Sequence, residues 1–130
     1  MSRTAAEWRE KPKLPATHYV NSRIYTDESI HQEEIEKIWN KLWLIACHES
    51  ELPNRFDYRT FMHPCGRSLV LIRGEDMKVR TFYNTCSHRG NTIVREPAGN
   101  AQRHTCVFHH WTYDAKGECV SIPREQEGYG

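Results

Sequence analysis

The sequence predicts a mainly β protein. An antiparallel β sandwich or barrel carries two loops rich in Cys and His, preceded by an N-terminal arm and one amphipathic α-helix. Three observations predict it. Beyond residue 43, short runs rich in Val, Ile, Thr, Tyr and Phe are broken by Gly, Pro, Asn or Asp, at intervals of about eight to twelve residues. Before that point, apolar residues recur at helical spacing instead. The chain of 130 residues is long enough for one modest core.

Residues 1–22 mix charge with Pro12 and Pro15 and show no sustained periodicity. They read as an extended arm anchored by Trp8 and Tyr19, or as a disordered tail. Thr26 or Asp27 can cap a helix, with Glu28 favourable at its positive end. Ile35, Ile38, Trp39 and Leu42 then fall on one stripe, so the spacing predicts an amphipathic helix over about 27–42. His31 belongs to its solvated flank and needs no function. Trp43 to Cys47 reads as a buried strand and Leu52-Pro53-Asn54 as a turn. Ser68 to Arg73 and Lys78 to Tyr83 form a hairpin around Gly74-Glu75-Asp76-Met77. Thr92 to Val94, Arg103 to Val107, Trp111 to Tyr113 and Cys119 to Ile122 are further short strands. Pro97-Ala98-Gly99-Asn100 reads as a tight return, and Asp114-Ala115-Lys116-Gly117 turns the last pair. The expected division is an arm and helix over 1–42 and the β domain over 43–130.

Composition narrows the function classes. Lys and Arg number 18 against 17 Asp and Glu, so nothing points to nucleic acid or an anionic membrane as partner. No apolar run approaches the roughly twenty residues of a membrane span. Met1 to Glu10 lacks the apolar core of a secretory signal. Five cysteines, an odd number without a paired framework, fit a reducing cytosol, so the expected location is cytoplasmic.

The chemistry lies in Cys86-Ser87-His88-Arg89-Gly90 and Cys106-Val107-Phe108-His109-His110-Trp111. Each stretch offers one thiolate and one imidazole. Cys-x-His followed by Cys-x-x-His suits a Rieske [2Fe–2S] cluster, with Cys86 and Cys106 on one iron and His88 and His109 on the other. A tetrahedral zinc site also takes two Cys and two His, although zinc spacing usually pairs like with like. Gly90 can adopt a backbone conformation barred to other residues, which suits a chain passing close to a cluster. His104 and His109 have His-x4-His spacing. Ala101 stands where the upstream acid of a mononuclear iron site would be, and His109 is already committed, so that reading is rejected. Cys47, Cys65 and Cys119 carry no expected function; Cys47 reads as a small core residue and Cys65 as part of an exposed turn.

The segment from about Leu42 to Gly130 resembles the N-terminal Rieske domain of the large (α) subunit of aromatic-ring-hydroxylating oxygenases. The resemblance is carried by Asn84-Thr85-Cys86-Ser87-His88-Arg89-Gly90-Asn91, Gly99-Asn100-Ala101 and Cys106-Val107-Phe108-His109-His110-Trp111-Thr112-Tyr113. His110 is a departure, since many relatives carry glycine there. Arg89, Gly90, His110 and Trp111 are candidate loop or partner contacts.

The resemblance implies a Rieske-type fold and one-electron transfer within an oxygenase α subunit. A ferredoxin or flavin reductase would deliver NAD(P)H electrons. The acceptor would be a mononuclear Fe(II) in a C-terminal catalytic domain that this chain does not contain, so the chain alone should be inactive toward substrate. An α homotrimer, with or without a small β subunit, is the implied assembly. Respiratory Rieske proteins resemble the pattern too, but add a cysteine to each loop; Arg89 to Asn91 and Phe108 occupy those places here. Fewer hydroxyl donors to sulfur imply the lower part of the Rieske range, about −150 to 0 mV. A free imidazole proton beside the cluster would make reduction pH-linked. A free-standing Rieske ferredoxin is the alternative, against which residues 1–42 count, and a zinc-binding interaction module is a third.

Overall fold

The computed structural model describes residues 22–128. They divide into two compact units, one ending at Leu44 and the other beginning at Ile45. The expected arm, with Trp8 and Tyr19, lies outside the described residues apart from Ser22.

The first unit is helical. A 3-10 turn, Ser22–Tyr25, leads into α1, Glu28–Glu34. Asp27 caps α1: its carboxylate accepts from the Ser29 amide at 3.1 Å and the Ser29 hydroxyl at 2.7 Å. Those bonds hold the Asp27 carboxyl below its usual range, helped by Arg23. The helix then widens into a π-helical turn, Ile35–Trp39, and ends three residues earlier than the apolar stripe suggests. No described residue of α1 or the π turn is buried.

The second unit is the β domain. The expected strand at Trp43 to Cys47 does not form: Trp43 is 101% exposed, Ile45 is 91% exposed, and the segment is irregular. An apolar run reads as buried only if a partner strand covers it, and none does here among the described residues. After a 3-10 turn, Glu49–Glu51, come β1 Asp57–Met62, β2 Ser68–Arg73, β3 Val79–Tyr83 and β4 Ala98–Asn100. These make one antiparallel sheet in the order β3-β2-β1-β4. β5 Arg103–Thr105, β6 Thr112–Asp114 and β7 Cys119–Ser121 make a second antiparallel sheet. A four-residue helix, α2 Glu125–Gly128, ends the described chain.

The β-rich sandwich expected from the sequence is therefore present, with corrections inside it. β1 was not expected, although Tyr58, Thr60 and Met62 alternate with Arg59 and Phe61. Ala98 to Asn100 forms a strand on the edge of β1 in place of a tight return. Thr92 to Val94 forms no strand, because the Asn84 side chain takes the Val94 backbone groups.

β2 explains where the core sits. It is an inner strand, and its run Val70-Leu71-Ile72-Arg73 is buried at every position. Val70 and Ile72 meet Val94 and Ala115, with Phe56, Tyr58, Phe82 and Ile93 packed around them. Ala115 comes from the β6–β7 turn, so this cluster joins the two sheets. Gly117 in the same turn has φ +84°, and a Cβ there would lie 2.5 Å from the Phe82 ring. Only glycine permits that approach. Arg73 is buried too. Its guanidinium donates to Leu52 O, to Met77 O at 2.7 Å, to Glu49 O at 3.2 Å and to the Glu49 carboxylate at 3.1 Å, so the desolvated cation is met by carbonyls and one ion pair.

Candidate metal centre

Both Cys/His stretches are loops hung from strand ends, one after β3 and one between β5 and β6. They share one hydrogen-bonded frame. In the first, Gly90 N donates to Cys86 O at 2.9 Å and Cys86 N donates to Asn91 O at 2.8 Å. In the second, His110 N donates to Cys106 O and Cys106 N donates to Trp111 O, both at 2.9 Å. Each frame closes through a residue of positive φ: Gly90 at +72° and His110 at +60°. Histidine tolerates that region better than most side chains. A glycine at the His110 position would meet the same backbone demand.

Asn84 anchors the first loop to the sheet. It is 2% exposed. Its amide donates to Val94 O at 2.6 Å and its carbonyl accepts from Val94 N at 2.8 Å. The two ends of the 84–94 excursion are thereby clamped as in a strand pair. Asn84 N also donates to Ser68 O at 2.9 Å.

The frames bring the four candidate ligands together, sorted by type. Cys86 and Cys106 are both buried, and the Cys86 side chain is among the groups that lower the Cys106 thiol. The rings of His88 and His109 lie edge to face at 4.6 Å. Trp111 stacks on His88 at 4.8 Å and 10°, and Phe108 tilts against His109 at 4.0 Å. Arg89 reaches from the first loop over the Phe108 ring of the second, 5.7 Å from its centroid. Among the described residues, no three His, Cys, Asp or Glu side chains gather as they would around one ion.

The electrostatics favour the metal-binding forms. Burial pushes the Cys106 thiol up, but the amides of Phe108 and His109, the Asn91 side chain and Cys86 outweigh it, and the thiol is net lowered. Asn91 Nδ2 lies 3.6 Å from Cys106 Sγ. Desolvation, then repulsion from His88, Arg89 and His110, lowers His109, which favours the neutral ring that ligation uses. Tyr113, on β6, places its hydroxyl 3.2 Å from Cys86 Sγ, 3.1 Å from Ser87 N and 2.8 Å from Ser87 Oγ. Burial and the Cys86 side chain raise its pKa, so it keeps its proton. Asn84, Asn91 and Tyr113 lie within the stretches that carry the family resemblance, but the sequence alone suggests no role for them. Asn84 and Asn91 flank the first ligand pair, but only the folded loops show what they hold.

A family model of the Rieske [2Fe–2S] domain matches residues 42–128. The chain belongs to that family. The Rieske domain is 50% identical to the α subunit of 2-aminobenzenesulfonate 2,3-dioxygenase from Alcaligenes sp., over 100% of this chain and 33% of that protein. It is 44% identical to the hydroxylase α subunit of methanesulfonate monooxygenase from Methylosulfonomonas methylovora, over 98% of this chain and 33% of that one. The naphthalene 1,2-dioxygenase structure from Rhodococcus sp. matches with a TM-score of 0.78 at 33% identity, covering 85% of this chain and 25% of that chain. The chain thus spans about a third of the length of these curated relatives. A thiolate pair beside a neutral imidazole pair is the donor set that a [2Fe–2S] group of this family requires, so the residues fit it.

The remaining cysteines differ from expectation in detail. Cys47 is half-buried outside any strand, and burial raises its thiol. Cys65 is half-buried in the β1–β2 turn, its sulfur 2.7 Å from His63 Nδ1. Cys119 is exposed on β7. His104 is buried, its ring edge to face with Tyr58 at 5.0 Å. No described helix is long and apolar enough to cross a membrane.

Proposed function

We propose that Cys86 and Cys106 hold one iron of the [2Fe–2S] cluster and His88 and His109 the other. The chain is then the electron-relaying Rieske domain of an aromatic-ring-hydroxylating oxygenase α subunit. One observation carries this ligand set: two matching loop frames present two buried thiols and a pair of imidazoles packed edge to face. A single zinc ion would need four donors directed at one point.

When bound, the cluster supplies one-electron storage, with the electron on the imidazole-ligated iron. This chain's residues set the conditions. The Phe108 and His109 amides and Asn91 face the Cys106 sulfur and favour its thiolate, and Tyr113 faces the sulfur of Cys86. Trp111 fixes the plane of the His88 ring by stacking. Each ligating imidazole keeps a second nitrogen, which can donate to a partner's carboxylate. The exposed Phe108 and Arg89 flank that edge.

In this reading a ferredoxin or flavin reductase supplies electrons. A mononuclear iron held elsewhere in such an α subunit would accept them. An α trimer, with or without a β subunit, brings the two centres within reach. Two relatives matched over nearly the whole chain are named for sulfonates, one aromatic and one aliphatic, so an organic sulfonate is the substrate class proposed.

Metal analysis tests the ligand set: the purified chain should be red-brown with equal iron and acid-labile sulfide, and a colourless zinc protein overturns the reading. Reading the gene beyond codon 130 tests the oxygenase. An open frame encoding Asp-x-x-His-x4-His supports it, and a stop codon supports a free-standing ferredoxin.

A further inference from the structure

Away from the two ligand loops, a second thiol and imidazole meet in the β1–β2 turn, His63-Pro64-Cys65-Gly66. Gly66 N donates to His63 O at 2.8 Å and His63 N donates to Arg67 O at 2.9 Å, which closes the turn. Gly66 has φ +79°, a conformation glycine adopts without strain. The closed turn folds two side chains together: His63 Nδ1 lies 2.7 Å from Cys65 Sγ.

The backbone decides which ring nitrogen carries the proton. The Cys65 amide, which can only donate, donates to His63 Nδ1 at 3.2 Å. Nδ1 therefore holds a lone pair, and the proton of the neutral ring sits on Nε2. The thiol also faces that lone pair, so the ring is placed to take the sulfur's proton. A nucleophile within hydrogen-bond reach of a base is the arrangement that activates a cysteine.

The other two cysteines outside the ligand loops have different surroundings. Burial raises the Cys47 thiol. Cys119 is exposed, and its sulfur lies 3.9 Å from the Ser121 carbonyl oxygen. Cys65 is half-buried, so access alone ranks Cys119 ahead of it; an imidazole base reverses that order. The turn still admits a small molecule. Pro64 and Gly66 on either side of Cys65 are exposed, and a Cβ at Gly66 would meet nothing within 4 Å.

We propose that Cys65 is a covalent modification site for small α,β-unsaturated carbonyl compounds, with His63 as its base. The sulfur bonds to the β carbon as the S–H proton passes to His63 Nδ1. The C=C electron pair moves toward the carbonyl, and the α carbon takes up the proton that the ring then releases. The product is a thioether; nothing is oxidised or reduced, and no further reactant is consumed. The site depends on neither the cluster nor its ligands.

The test uses N-ethylmaleimide on the cluster-loaded chain near neutral pH, with the adduct at each cysteine followed in time by peptide mass spectrometry. Cys65 should gain the adduct faster than Cys47 or Cys119. His63→Asn keeps a side-chain acceptor for the Cys65 amide, so the turn still closes, but it removes the base. It should slow Cys65 by about tenfold or more and leave the Cys119 rate unchanged. A Cys65 rate that survives His63→Asn overturns the proposal. So does a wild-type chain in which Cys119 reacts first, a comparison that needs no variant to fold.

Discussion

Gly90 and His110 occupy the same position in two loops of one design. Each donates its amide to the carbonyl of the cysteine four residues earlier, and each has positive φ. The sequence disguises this equivalence, because one loop spaces its ligands as Cys-x-His and the other as Cys-x-x-His. The backbone frame, from cysteine to the residue five later, is the same in both.

The equivalence makes a stability prediction. A Cβ at Gly90 would meet nothing within 4 Å, so Gly90→Ala is penalised by backbone strain alone. It should cost about 1–2 kcal/mol. His110→Gly relieves strain of that kind but frees the unfolded chain, leaving a net gain of at most about 1 kcal/mol. Denaturant titration of the loaded chain measures both. A stabilising Gly90→Ala would contradict the shared frame.

Asn84 gives a larger effect. Asn84→Ala leaves both the Val94 amide and carbonyl buried and unpaired. The expected loss is about 2–4 kcal/mol, with cluster content falling because the first loop is no longer clamped. Equilibrium unfolding and iron analysis on the same samples check this, and an unaffected cluster would show that the clamp is dispensable.

Tyr113→Phe should lower the reduction potential. The hydroxyl next to Cys86 Sγ favours the more negative, reduced state, so removing it favours the oxidised one. A differential of roughly 1 kcal/mol corresponds to about 40 mV for a one-electron couple. Redox titration followed by visible absorption reads the shift, and an unchanged or raised potential would contradict the assignment of Tyr113.

Much of this was legible in the chain and some was not. The hairpin of β2 and β3 follows from two β-rich runs around Gly74-Glu75-Asp76-Met77, and the candidate ligand set follows from the mixed Cys/His spacing. The Trp43 to Cys47 strand fails because local apolar content says nothing about whether a neighbour will cover it. β4, at Ala98 to Asn100, was hidden by turn-forming residues, since its pairing partner β1 is some forty positions away. Asn84 has the same cause: a side chain that substitutes for a strand leaves no periodic trace.

Acid sensitivity follows from Asp57. Its carboxylate accepts from Asn100 Nδ2 and from the Asn54 amide, both at 2.7 Å, and these bonds lower its pKa. A lowered folded-state pKa means stability that is present above the unfolded value, about 3.9, and lost as pH falls through the folded one. Circular dichroism during acid titration should therefore show a shallower decline below about pH 4 in Asp57→Asn than in wild type. Identical acid profiles would remove the Asp57 contribution.

Substitution separates ligands from bystanders. Cys86→Ser or His109→Cys should abolish or transform the visible spectrum, while Cys47→Ser leaves it intact. A full, unchanged spectrum in Cys86→Ser would sink the ligand set.

The most direct measurement is electron paramagnetic resonance of the anaerobically reconstituted chain after dithionite reduction. A rhombic signal from one unpaired electron, with two irons and two sulfides per chain, is the predicted result for two thiolates and two imidazoles on one [2Fe–2S] cluster. A silent sample, or one carrying zinc at the same four residues, would contradict it.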